Sequence, residues 1–188
     1  MIFLSRQIWK EGNFVYPVPA VLVTCADGEN ENIFTVAWTG TICSDPAMTY
    51  ISVRKERYSY DIIKKSGVFC INLTTEDLVY ATDYCGVKSG RNENKIKKLG
   101  LHFERASKIN CPILAESPVV IECEVKEIKE LGSHDMFIAN VIAINVNEKY
   151  IDDTGKFDME NVHLMAYSHG KYYKLGEQIG KFGFSVKK

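Results

Sequence analysis

Asn32-Ile33-Phe34-Thr35-Val36-Ala37-Trp38-Thr39-Gly40-Thr41, followed by Ser44-Asp45-Pro46 and then Tyr50-Ile51-Ser52-Val53-Arg54, decides the reading of this chain. Two apolar strands bracket a tight Asp-Pro turn. The first carries small and hydroxyl-bearing residues along which a flat ring can approach the backbone. The second ends in Ser52, Arg54, Lys55 and Arg57, just ahead of Tyr58-Ser59-Tyr60. A cationic, hydroxyl-rich strand end is where a phosphate is held. One strand pair therefore carries residues suited to both ends of a mononucleotide.

Outward from this pair, apolar runs and turns keep alternating. Residues 20–25 read as a buried strand and 27–32 as a polar turn, so that with 33–38 they make a hairpin. Residues 48–53 and 68–73 are further strands, separated by a short helix over 58–65 that Ser59 is expected to cap and Gly67 to stop. Thr75 opens a second helix reaching about Tyr84, with Glu76 and Asp77 where the helix dipole favours acids, and 94–99 marks a third. Residues 119–126 alternate, placing Ile121, Cys123 and Val125 on one face and Glu122, Glu124 and Lys126 on the other, as in a half-exposed antiparallel strand. Residues 132–135 form a turn, and 136–146 are so continuously apolar that both faces need cover.

Many short strands with only short helices make a mostly β fold, an antiparallel barrel in a single domain over residues 1–188. A doubly wound dinucleotide fold would need regular strand-helix alternation and a glycine-rich first turn, and the chain has neither. The tail over about 163–188, rich in Tyr, Gly and Phe, suits a segment lying on the barrel or on a dimer partner.

Lys and Arg total 23 against 24 for Asp and Glu, so a net charge of -1 leaves no basic footprint for nucleic acid or an anionic membrane. No apolar run approaches the ~20 residues that span a bilayer. Met1-Ile2-Phe3-Leu4 is followed at once by Ser5-Arg6-Gln7, too short for the apolar region of a signal peptide, so a cytoplasmic protein is expected. The six cysteines lack metal-knuckle or CxxC spacing; Cys25, Cys70 and Cys123 read as small buried hydrophobes, and reduced thiols are expected. The four histidines show no ligand spacing and no serine lies in a GxSxG elbow, so neither a metal site nor acyl-transfer hydrolysis is indicated.

The strand pair, the Asp45-Pro46 turn and the basic strand end resemble the flavin-reductase-like FMN-binding split-barrel family, and within it the flavoredoxin branch, over about residues 17–184. The resemblance implies a split β-barrel with a few short peripheral helices. It further implies FMN as cofactor, an FMN-dependent oxidoreductase, NAD(P)H or an electron-transfer protein as redox partner, and a homodimer. Thr35, Val36, Ala37, Trp38, Thr39 and Gly40 match the segment that runs beside the isoalloxazine ring. Ser52, Val53, Arg54 and Ser59 belong to the cofactor-holding strand end; Arg54 and Ser59 are the expected phosphate contacts, with Lys55 and Arg57 facing water. Lys88, Ser89 and, beyond them, Lys95 match the glycine-containing segment that closes over the phosphate and ribityl end.

Each motif also has a structural reading: a barrel strand with a buried Trp, a solvated basic turn paired with Glu56, a flexible connection between helices. His134 sits in Gly132-Ser133-His134-Asp135, where the family has Gly-Asp-His; here Ser133 stands in the acid's place and the acid follows. His134 is a candidate catalytic residue on the nicotinamide or substrate side of the flavin, or simply a turn residue. An aromatic of the tail, around Tyr172-Tyr173, is placed to cap the ring or to pack. Two other functions stay open: a flavin-binding electron carrier without NAD(P)H turnover, and a module of the same barrel that holds haem or no cofactor.

Overall fold

The computed structural model describes residues 5–186, so the reading of residues 1–4 lies outside it. Its strands are β1 (Val18–Pro19), β2 (Val21–Ala26), β3 (Glu31–Val36), β4 (Thr39–Ser44), β5 (Ala47–Val53), β6 (Val68–Asn72), β7 (Phe103–Arg105), β8 (Pro112–Leu114), β9 (Val119–Glu130), β10 (Asp135–Val146), β11 (Met165–Ser168) and β12 (Lys171–Lys174). Three helices join them: α1 (Tyr58–Ser66), α2 (Val79–Val87) and α3 (Lys95–Leu99). Seven strands form one antiparallel sheet in the order β3-β2-β6-β9-β10-β5-β4; β1, β11 and β12 make a second, and β7 and β8 a third.

This order explains the barrel. β3 and β4 lie at opposite ends of the seven-stranded sheet, yet only Ala37 and Trp38 separate them in the chain. Flat, those edges would stand roughly 29 Å apart at about 4.8 Å per strand. Three peptide steps reach at most roughly 11 Å. The sheet must therefore roll until its edges meet at Ala37-Trp38. The expected strand over 33–38 thus stops at Val36, because Ala37 and Trp38 carry the chain from one edge to the other.

Alternation along β2 turns Val21, Val23 and Cys25 into the barrel, where they meet Phe34, Ile51, Phe69, Phe137 and, from α1, Ile63. Leu22 faces the other way and packs under α2 with Ile33, Leu78 and Cys85. Cover on both faces is why β2 reads as an unbroken apolar run. All six cysteines are free thiols, with Cys25, Cys70 and Cys123 buried in strands. No helix among the described residues is long and apolar enough to cross a membrane.

Several elements depart from expectation. The residue preceding α1 is Arg57, with no side-chain cap; Ser59 sits inside the first turn, its hydroxyl accepting from Asn32 Nδ2 at 2.7 Å. The second helix begins as a 3-10 turn over Glu76–Leu78 before α2. The third helix forms where expected, and Asn94 caps it, its Oδ1 accepting from the Lys97 N–H. Glu122, placed by alternation on the solvent face of β9, is 0% exposed, because the loop at Ser107–Ile109 and Asn145 of β10 close over it. β10 is covered on both faces only in its first half; Ile142 and Ile144 stay open to solvent.

Candidate functional site

A cleft of about 710 Å³ opens where the sheet's two edges meet. Thr35, Val36, Ala37 and Trp38 line it from the β3–β4 crossing, and Ser52 and Arg54 from the end of β5. Edge strands leave one row of amides and carbonyls unpaired, which suits them to read the heteroatoms of a planar ring. Gly86 of α2 packs closely beside this wall, where a Cβ would come within 3.3 Å of Thr35 Cβ. Three expected residues do not reach the cleft. Thr39 is buried with its hydroxyl donating to the Tyr50 carbonyl at 2.6 Å, and Gly40 stacks beside the Tyr50 ring in β4. Val53, 2% exposed, alternates into the barrel core between Ser52 and Arg54.

A smaller pocket of about 160 Å³ is lined by Ser59, Lys88, Ser89, Gly90 and Lys95, with Asn32 and Tyr58. Arg57 lines both cavities; Arg54 lines only the larger. Arg57, expected to face water, thus borders the smaller pocket while Arg54 does not, because the Arg57 guanidinium reaches back to the Gly86 carbonyl of α2. Two arginines latch the walls: Arg57 Nη1 donates to the Gly86 carbonyl at 2.9 Å, and Arg91 Nη1 to the Glu56 carbonyl at 2.8 Å. A Cβ on Gly90 would lie 2.3 Å from Asn32 Oδ1 and 2.9 Å from the Tyr58 ring, so only glycine lets the loop close this tightly. Lys55 does not face water freely, since it pairs at 3.5 Å with both Glu130 and Asp135.

Lys95 is the most telling member. It is 3% exposed, and its ammonium donates to the carbonyls of Lys88 at 3.1 Å and Cys85 at 3.4 Å. Among the described residues no carboxylate forms an ion pair with it. Burial pushes its pKa down. An ammonium held in a dry pocket by neutral carbonyls calls for an anion. The start of α1 and the hydroxyls of Ser59 and Ser89 border the same space.

His134 lies at the rim of the large cleft, its Nδ1 2.9 Å from Ser133 Oγ. Burial, then the positive charge of Arg54, holds its pKa below the usual histidine value, so the ring is neutral at neutral pH. Asp135 points the opposite way along the strand. It accepts a 2.6 Å bond from Tyr60 Oη, which with Lys55 keeps its carboxyl below the usual range, and Tyr60 is in turn pushed up to about 12. The acid after the histidine thus ties α1 to the β9–β10 hairpin instead of orienting the imidazole. From the tail, Tyr167 and Tyr172 complete the cleft wall, 5.5 Å apart between ring centres, and Tyr16 backs Trp38 at 6.2 Å.

The family described as flavin reductase like domain matches residues 13–176. The chain belongs to that family. The structure of flavoredoxin from Desulfovibrio vulgaris (Miyazaki F) is 30% identical with a TM-score of 0.89, covering 97% of this chain and 100% of that one. Flavoredoxin from Methanosarcina acetivorans is 25% identical with a TM-score of 0.85 over 97% of this chain and 100% of its own. An FMN reductase (NADH) of Agrobacterium fabrum is 22% identical over 68% of this chain and 72% of the relative. This flavin-reductase-like chain is accordingly a split-barrel protein of mostly antiparallel strands with a few short helices, and its function is that of a flavin-binding oxidoreductase. Asn32, Tyr50 and Tyr167 also line these cavities, with no role assigned to them by the sequence. Asn32, a polar residue inside an apolar strand, was the one available signal.

Proposed function

We propose that the protein binds FMN, with the phosphate in the small pocket and the ring in the large cleft, and works as an FMN-dependent flavin-reductase-like oxidoreductase. The buried ammonium of Lys95, held by the carbonyls of Cys85 and Lys88, is the observation that carries this reading. Lys95, Arg57, Lys88, Ser59 and Ser89 would hold the phosphate, and residues 35–38 would hold the ring edge. The small pocket has room for a terminal phosphate, and no dinucleotide fingerprint is present, which favours FMN over FAD. FMN when bound supplies two-electron and one-electron redox chemistry. The chain's own part is to orient the ring, to exclude water with Trp38 and the tail tyrosines, and to present the neutral His134 as a hydrogen-bonding group at the rim. NAD(P)H or an electron-transfer protein is the electron donor in this reading.

The whole chain acts as one domain, as a homodimer in a reducing cytoplasm; six free thiols and the exposed Ile142 and Ile144 support these points. Reconstitution with a mixture of FMN, FAD and riboflavin, followed by chromatography of what is retained, tests the cofactor. FMN alone is the expected result. Retention of FAD, or of riboflavin as strongly as FMN, overturns it.

A further inference from the structure

Resting on the flavin reading, we propose that Arg54 is a second anion subsite in the large cleft, distinct from the phosphate pocket. Its occupant is a flat aromatic or conjugated carboxylate, whose ring lies against Trp38, Tyr167 and Tyr172 while its carboxylate meets the guanidinium.

Two guanidiniums, those of Arg54 and Arg57, line this cleft, and among the described residues no Asp or Glu does. Arg57 is committed: it is bonded to the Gly86 carbonyl and shared with the small pocket. Arg54 is not. Among the described residues its one ionic partner is Glu56, two residues on, at 3.5 Å with both side chains more than half exposed. Such a pair is worth little in water and gives way to a better ligand. Burial first, then the charges of Arg54 and Arg57 against that of Glu56, lowers the pKa of His134 at the same rim. The phosphate of a mononucleotide already has Lys95, so Arg54 is left for the other reactant.

The shape of that reactant follows from the aromatic lining of the same cleft. Trp38, Tyr167 and Tyr172 are half-buried and present rings to the cleft, with Tyr16 packed behind Trp38 and Tyr167 at 6.2 and 6.3 Å. Aromatic faces prefer flat unsaturated partners, and a guanidinium prefers a planar two-oxygen anion that it can bind through two parallel N–H donors. A carboxylate conjugated to a ring satisfies both at once. Ser133 and His134 at the rim add neutral hydrogen-bonding groups beside it.

The test is titration calorimetry of the FMN-loaded protein with benzoate, its neutral analogue benzamide, and the non-aromatic cyclohexanecarboxylate. Benzoate is expected to bind at least tenfold more tightly than either. Arg54→Gln should abolish its advantage over benzamide while changing FMN affinity less than twofold. Equal binding of benzoate and benzamide to the wild type overturns the subsite. So does a variant that loses FMN as strongly as benzoate, which would put Arg54 in the phosphate site. A variant that shifts the flavin midpoint potential but leaves benzoate binding intact overturns it too, by turning Arg54 toward the ring. If the protein takes up no FMN, the flavin reading fails alone. The same titration of the apoprotein then supports the subsite if the Arg54-dependent preference for benzoate persists, and overturns it if not.

Discussion

Lys95 stands in the charge run Lys95-Ile96-Lys97-Lys98, and by composition it reads like its solvated neighbours. Its burial comes from α3 tucking it under the end of α2, where the carbonyls of Cys85 and Lys88, ten and seven residues earlier, receive the ammonium. The resemblance pointed to the residue; no local pattern announced that it would be dry and without a counter-ion. Replacing it with Met should weaken FMN binding at least tenfold and riboflavin binding less than twofold, because only FMN brings a phosphate and a charge-assisted bond is worth about 1.5–3 kcal/mol. Fluorescence titration of both flavins reads the difference. The pH dependence has a definite sign. Burial lowers the Lys95 pKa in the free protein, and a bound phosphate raises it. FMN affinity should fall as pH rises through that depressed value, below the ordinary 10.5, and Lys95→Met should lack this fall.

At the scale of elements, β9 shows where pattern reading stops. Alternation gave the strand and its faces, since Cys123 is buried and Glu124 and Lys126 are exposed. It failed at Glu122, whose fate is set by a loop fifteen residues away in the chain. The carboxylate accepts bonds from the Ser107 N–H and hydroxyl, the amides of Lys108 and Ile109, and Asn145 Nδ2, at 2.6 to 3.1 Å. Burial alone pushes its pKa up; the bonds from Ser107 and Asn145 and the loop amides outweigh that and bring it down to about 2. A folded pKa below the unfolded 4.5 means stability that is complete above 4.5 and lost as pH falls toward 2. Calorimetric Tm should therefore drop across that window, and Glu122→Gln should lower Tm at pH 7 while flattening the drop. The missed break between β3 and β4 has the same origin: Ala37 and Trp38 continue an apolar run, and only the sheet order, a non-local property, forces the chain to leave the edge there.

For the whole molecule, the barrel class was legible because short strands and turns repeat along the chain, whereas its cover was legible only as a need. Ile144 is 61% exposed on β10, and the terminal segments expose Ile8, Trp9, Ile179 and Phe182 as well. A second copy seated on these residues would take their apolar surface out of water. Sedimentation should give a dimer, and Ile144→Glu should shift it toward monomer; a wild-type monomer that still binds FMN would refute the pairing. The two-residue crossing at Ala37-Trp38 has one more effect. It is the seam along which the barrel would unzip, and the flavin lies across it in the proposed complex. Cofactor occupancy should then act as a clasp, slowing amide hydrogen exchange in β3 and β4 far more than in β6 or β9. With free FMN at a hundred times its Kd, the gain is about 2.7 kcal/mol for openings that release the ligand. The apoprotein is thus expected to breathe at the very place where it must admit its cofactor.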